Sequence, residues 1–134
     1  MVQQDPRVGG GNVAHRATLR RSLDLFAAFR VEQTDPDRFY GALAADSVAM
    51  ARQWLPLAGA KVVDIGGGPG YFADAFTGAG ARYAGLEPDA GELTARGVVG
   101  ANTVRGSGLD LPLADASIDL AFSSNVLEHV PDPV

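Results

Sequence analysis

Four glycines lie between a short β-branched run and a helical pattern, in the segment Asp64-Ile-Gly-Gly-Gly-Pro-Gly70. Glycine has no Cβ, so it adopts positive φ angles and lets a ligand lie directly against the backbone. The helix that follows would offer N–H groups without partners and the positive end of its dipole. We therefore predict that this turn binds a nucleotide or the carboxylate of an amino acid. The structural alternative is a tight turn with no ligand.

The spacing of these glycines distinguishes two classes of nucleotide site. The dinucleotide fingerprint G-x-G-x-x-G, begun at Gly66, requires a third glycine at position 71, which is Tyr71. Begun one residue earlier, it requires a glycine at Ile65. Neither register fits, and the sequence instead has alternating glycines after Asp64.

An acidic residue, Glu87, ends the next predicted strand. A carboxylate only accepts hydrogen bonds, and it can accept them from both hydroxyls of a ribose. NAD-binding domains have an acid at the same point, so Glu87 alone fits either cofactor. Its structural alternative is a solvated acid at the end of a strand.

Two stretches resemble one family. The segment Asp64–Gly70 resembles the D/E-x-G-x-G-x-G signature of class I S-adenosylmethionine-dependent methyltransferases. Residues Gly106–Leu113 and Asp115–Pro133 resemble the pattern GDA..LPF.D.SFD.V.S.N.LEHV.DP of the same superfamily. The similarity is greatest to the small-molecule branch that includes the ubiquinone and menaquinone methyltransferases. It implies S-adenosylmethionine as the cofactor and a small-molecule oxygen, nitrogen or carbon acceptor.

The resemblance also implies roles for individual residues. The glycine loop would pack against the methionine part and ribose, with Asp64 supporting the loop and the amino end of the cofactor. The family's adenine-binding Asp is replaced by Ser107, so backbone and packing at Gly108 and Leu109 would contribute more. The residues implied to bind the cofactor are Asp64, Gly66, Gly67, Gly68, Gly70, Glu87, Pro88, Ser107, Gly108, Leu109 and Asn125.

The fourth predicted strand ends at polar residues, Ser123, Ser124 and Asn125. Ligands of open α/β sheets bind outside such strand ends. By resemblance, backbone groups here receive the amino group of the cofactor, whereas Asn125 could instead cap the next helix. His129, beside Glu128, is the candidate base for the acceptor, and a structural histidine is its alternative. His15 is a weaker candidate.

Alternating strands and helices predict a parallel α/β sheet of the Rossmann-like methyltransferase fold. The predicted strands are 61–65, 82–86, 102–105 and 117–122. The predicted helices are 14–31, one capped by Asp35 and closed by Pro56 and Gly59, 71–79, 89–96 and one that begins at 125. We expect a mobile tail at 1–12, N-terminal cap helices at 13–58 and a cofactor-binding half-domain at 59–134. The family fold has seven strands in the order 3-2-1-4-5-7-6, so we expect truncation after strand four. Strand four would then be an exposed edge open to self-association.

Three aromatic residues on the second helix, Phe39, Tyr40 and Trp54, are candidates for an acceptor pocket. Aromatic residues at helical spacing are more often part of a core, and we favour packing for all three.

Composition excludes several functions. The 134 residues carry a net charge of −5 with no basic run, which argues against nucleic-acid binding. Cysteine is absent, so no disulfide or thiolate metal site is expected, and no metal is predicted. We predict no membrane span, no signal peptide and a cytoplasmic location. The functional alternatives are a non-catalytic binding or dimerisation module and an NAD(P)-binding Rossmann domain.

Overall fold

The computed structural model describes residues 18–97 and 102–131. Its helices are α1 (Leu19–Phe29), α2 (Pro36–Ala51), α3 (Ala73–Gly78) and α4 (Ala90–Thr94), and a single 3₁₀ turn spans Leu127–His129. Its strands are β1 (Lys61–Ile65), β2 (Arg82–Glu87), β3 (Thr103–Arg105) and β4 (Leu120–Phe122). The predicted tail 1–12 and His15 lie outside the described residues. Within the described ranges, no helix is long and apolar enough to cross a bilayer.

The four strands form one parallel sheet in the order β3-β2-β1-β4. The predicted parallel α/β architecture is therefore confirmed. The chain moves outward from β1 to β2 and β3 and then returns to the other side of β1. Such a reversal opens a crevice at the carboxyl ends of the strands, where α/β proteins bind ligands.

One face of the sheet packs against α2 and α3. The register sets Val62 level with Tyr83 and Leu120, so these side chains share this face. Phe76 of α3 is fully buried on it and contacts Phe122, with 5.1 Å between ring centroids. The residues that α2 adds to this core are Ala44, Val48 and Ala51. Helix α2 is thus part of the same core as the sheet.

The opposite face carries the row Val63, Ala84 and Ala121, which the register sets level with one another. Val63 is buried, whereas Ala84 and Ala121 are exposed. On the neighbouring strand, Val104 is 54% exposed. This face is therefore only partly covered by the described residues.

Helix α2 begins as its sequence predicts and ends earlier. Asp35 caps it by accepting the N–H of Arg38 at 3.2 Å, and Pro36 occupies the first turn. The helix ends at Ala51 and is followed by a turn over residues 52–54, and Pro56 disfavours helical backbone only at Leu55. Trp54 consequently lies beyond the helix and is 79% exposed. The predicted packing of Trp54 was wrong.

Other predicted elements are shorter in the structure, and one does not form. Helix α3 begins at Ala73, two residues later than predicted, and β4 contains only residues 120–122. The helix predicted from residue 125 is wrong, because only the 3₁₀ turn forms there. Asn125 has a φ of +55°, a left-handed conformation that cannot continue a right-handed helix, and Pro131 follows closely.

Candidate functional site

The loops that follow the four strands meet at the carboxyl edge of the sheet around a cavity of about 950 Å³. This volume lies at the upper end of the roughly 300–1,000 Å³ typical of small-molecule sites. The predicted residues that line it are Gly66, Gly67, Gly68, Glu87, Pro88, Ser107, Gly108, Leu109, Asn125 and His129. Asp64 and Gly70 are not among its lining residues.

Two glycines of the turn after β1, Gly66 and Gly68, differ in the space that surrounds them. Gly66 (φ +74°) and Gly68 (φ +51°) are both in the left-handed region that favours glycine. A Cβ at Gly66 would collide with the side chain of Val126, from the turn after β4. A Cβ at Gly68 would have no heavy atom within 4 Å. Gly66 is therefore required by packing, whereas Gly68 leaves backbone open beside the cavity.

Glu87 links the ends of β1 and β2. Its side chain is buried, with the residue 7% exposed. One carboxylate oxygen accepts the N–H of Gly68 at 3.1 Å, and the other accepts the N–H of Asp89 at 2.9 Å. Each oxygen keeps a further lone pair, so the carboxylate can still accept hydroxyl groups from a ligand. The predicted proximity of Glu87 to the glycine turn is present in the structure.

Asp64 lies beneath the glycine turn. It is 1% exposed, and its Oδ2 accepts the hydroxyl of Tyr83 at 2.7 Å. Burial raises the pKa of Asp64 to about 6; the hydrogen bond from Tyr83 opposes this effect, and the charge of Glu87 adds to it. Sequence reasoning missed Tyr83, because only the register of β2 against β1 brings its hydroxyl to Asp64.

The turn after β3 is stabilised by the side chain of Ser107, which lies within it. The Oγ of Ser107 accepts the N–H of Leu109 at 3.1 Å, and its hydroxyl proton remains available to donate. Gly108 lies against Ile65, since a Cβ there would be 2.9 Å from Ile65 Cγ2. Leu109 lines the cavity and is 63% exposed.

The turn after β4 completes the rim. Asn125 lines the cavity but caps no helix, because the 3₁₀ turn begins after Val126 and has no side-chain cap. The capping alternative for Asn125 was therefore wrong. Ser123 donates its hydroxyl to the carbonyl of Ile65 at 3.1 Å, and Ser124 lines the cavity. His129 also lines it, with Nε2 3.9 Å from Glu128 Oε1.

An aromatic wall closes the side nearest the N-terminal helices. Tyr40 stacks on Tyr71 with 4.4 Å between ring centroids, and the Arg96 guanidinium lies 4.8 Å from the centroid of Tyr71. Burial, together with the hydrogen bond that Tyr40 donates to Glu32, raises the pKa of Tyr40 to about 12. Phe39 is buried beside Tyr40, so its predicted packing is confirmed. Tyr71 was missed because its sequence position indicated only the start of a helix.

The cavity is strongly acidic. Its described lining includes five carboxylates and no lysine or arginine. The carboxylates belong to Glu32, Glu87, Asp89, Glu92 and Glu128. A cleft lined by one sign of charge concentrates ligands of the opposite sign. This site is therefore suited to a cation and unsuited to a polyanion.

Comparison with protein families shows which family has this fold and glycine turn. Residues 63–134 match the model of the methyltransferase domain family. The chain belongs to that family. Family membership, with the parallel order β3-β2-β1-β4, confirms the predicted methyltransferase resemblance.

Several mycobacterial methyltransferases are similar to this one. The chain is 56% identical over 130 residues to an uncharacterized methyltransferase of Mycolicibacterium paratuberculosis. It is 55% identical over 131 residues to one of Mycolicibacterium gilvum and 55% identical over 130 residues to one of Mycobacterium bovis. Each match covers 90% of this chain and 51% of the relative. The methyltransferase chain thus spans about half the length of the curated relatives it matches.

Proposed function

We propose that this chain binds S-adenosylmethionine and transfers its methyl group to a small-molecule acceptor. The observation that carries the proposal is the Glu87 carboxylate, held 3.1 Å from the N–H of Gly68 at the edge of the cavity. The glycine backbone on one side and the buried Glu87 carboxylate, a hydrogen-bond acceptor, on the other can hold a ribose and its substituents between them. The family to which the chain belongs typically uses this cofactor.

The charge of the cavity supports the same cofactor. When bound, S-adenosylmethionine supplies a methyl group on a positively charged sulfur, which leaves as a neutral thioether. Five carboxylates around the cavity favour that cation, whereas the pyrophosphate of a dinucleotide would meet repulsion from all of them. The residues that hold the cofactor are Gly66, Gly67, Gly68, Glu87, Pro88, Ser107, Gly108, Leu109 and Asn125, with Asp64 and Gly70 shaping the turn.

The chain's own contribution to the reaction is mainly alignment. Methyl transfer is an in-line displacement, so its rate depends on holding the acceptor and the methyl group at close range. The wall of Tyr40 and Tyr71 orients the acceptor and limits access of water. His129 is the proposed base where an acceptor must lose a proton, since its side chain lines the cavity and is 77% exposed.

The test is calorimetric titration of S-adenosylmethionine into the unchanged chain and into Glu87→Gln. Loss of a charge-assisted contact of about 1.5–3 kcal/mol should weaken binding roughly 10- to 150-fold. Asp24→Asn is the matched control, because it removes one charge from an exposed side chain of α1 and should bind as the unchanged chain does. Thermal melts must show that both variants remain folded.

Two results would contradict the proposal. One is a folded unchanged chain that binds no S-adenosylmethionine, and the other is a Glu87→Gln variant of unaltered affinity. A defined dimer that binds no cofactor would instead support the dimerisation module.

A further inference from the structure

Tyr83 and Asp64 form a buried polar pair on the core face of the sheet. Their exposures are 5% and 1%, and 2.7 Å separates the hydroxyl oxygen from Asp64 Oδ2. Tyr83 is level with Val62, and Asp64 lies two residues further along β1 on the same face. The tyrosine side chain therefore extends along the sheet toward its carboxyl edge.

This pair fills the space directly beneath the glycine turn. A Cβ at Gly67 would lie 3.1 Å from Asp64 Oδ2 and 3.3 Å from the hydroxyl oxygen of Tyr83. A Cβ at Gly85 would lie 3.4 Å from the same hydroxyl. The next residue in the turn, Gly68, donates its N–H to Glu87. The Tyr83–Asp64 pair thus lies beneath Gly67, and the adjacent residue, Gly68, makes the hydrogen bond to Glu87 at the cavity rim.

We infer that Tyr83 is a positioning residue, whose hydroxyl fixes the Asp64 carboxylate beneath Gly67 and thereby sets the backbone of the glycine turn. As a statement about cofactor binding, this inference rests on the proposed function. Tyr83 itself does not line the cavity, so it acts through Asp64 and the turn and not by contact with a ligand.

The titration of Asp64 can report the role of Tyr83, because few ionisable groups act on this carboxylate. The titratable groups that act on Asp64 are Tyr83 and Glu87, both from β2. Its register partners are Gly85 on β2 and Phe122 on β4, neither of which ionises. The α3 residue that packs against Tyr83 is Phe76, which is also apolar. A change at Tyr83 is therefore expected to alter the titration of Asp64 directly.

The test begins without ligand, on Tyr83→Phe. NMR titration of the Asp64 carboxyl should give a pKa above the value of about 6, because the hydrogen bond that lowers it is lost. Exchange of the Gly68 amide should accelerate about tenfold or more as the turn loosens. Affinity for S-adenosylmethionine should then fall about tenfold, the effect of one lost hydrogen bond.

Ser47→Ala is the matched control, because it also deletes a buried hydroxyl, one that donates to the carbonyl of Leu43 at 2.8 Å within α2. It should lower the melting temperature without changing the pKa of Asp64 or the exchange of the Gly68 amide.

Asp64→Asn is a second variant that keeps an oxygen acceptor for Tyr83, and it should retain slow exchange at Gly68. An unchanged Asp64 pKa and unchanged Gly68 exchange in Tyr83→Phe, or fast exchange in Asp64→Asn, would overturn the inference. Failure of the unchanged chain to bind the cofactor would count against the proposed function alone.

Discussion

At the residue scale, Gly66 and Gly68 both have positive φ angles but differ in their surroundings. The side chain of Val126 occupies the space beside Gly66, while the space beside Gly68 is open. The N–H of Gly66 also bonds the carbonyl of Leu86 at 2.7 Å, which ties the turn to β2. We therefore propose that the fold requires a glycine at position 66, whereas the missing side chain at position 68 serves the ligand.

Alanine substitutions should separate these two requirements. Gly68→Ala should cost on the order of 1 kcal/mol, the strain of a left-handed alanine, and should weaken S-adenosylmethionine binding at least about tenfold. Gly66→Ala adds a clash and should cost several times more stability. Urea unfolding and calorimetric titration measure the two effects. Gly68→Ala with undiminished affinity would show that the open backbone is not a contact surface.

At the element scale, α1 is attached to the protein through few contacts. Ala28 is its one buried residue, while Leu19, Leu23 and Phe26 remain exposed. The main polar attachment is a bidentate pair in which Arg21 donates to both carboxylate oxygens of Asp46, at 2.7 and 2.6 Å. This attachment matters for the site because Phe29, at the end of α1, lines the cavity.

Breaking this pair should release α1 without unfolding the sheet. In Arg21→Met we expect the α1 amides to exchange faster by about tenfold or more, with β1 and β2 unchanged, because a planar bidentate pair is worth about 1–3 kcal/mol. Arg20→Met is the control, since its 4.0 Å pair with Asp24 is exposed and contributes little. Hydrogen-exchange mass spectrometry distinguishes the two variants. Equal protection of α1 in both would disprove this account of its attachment.

Element types were predictable from sequence more reliably than element ends. The bounds of β1 were predicted without error, because Lys61–Ile65 lies between glycines. The early end of α2 and the loss of the helix after Asn125 depend on turn geometry and a single left-handed residue, which periodicity does not reveal. In the site, Glu87 followed from its strand end, whereas Tyr83 required the register of two strands.

At the scale of the whole molecule, the sheet has an unpaired edge and a thinly covered face. Among the described residues, β4 pairs only with β1, and no strand pairs with its other side. The row Ala84, Val63 and Ala121 crosses the sheet on the partly covered face. Unpaired strand edges readily pair with another chain, so we expect self-association through β4 at high concentration.

Two lysine substitutions in that row test which surface associates. Ala121→Lys puts a charge on the edge strand and should shift the chain toward monomer in light scattering after size exclusion. Ala84→Lys puts the same charge on the same face, but on β2, which is paired on both sides. It should leave association unchanged if the edge is responsible. Loss of association in both variants would point to the face, and a chain that is monomeric at all concentrations would refute self-association altogether.

The carboxylate of Asp64 also lowers the stability of the folded chain when it ionises. Its pKa is about 6 in the folded chain, against an ordinary value of 3.8, so the folded state resists ionising it. The resulting penalty is absent below pH 4, grows between pH 4 and 6, and at neutral pH reaches on the order of 3 kcal/mol. Asp64→Asn has no such ionisation, so its stability relative to the unchanged chain should rise between pH 4 and 6. The same carboxylate that lowers stability at neutral pH is the group that accepts the hydroxyl of Tyr83 beneath the glycine turn.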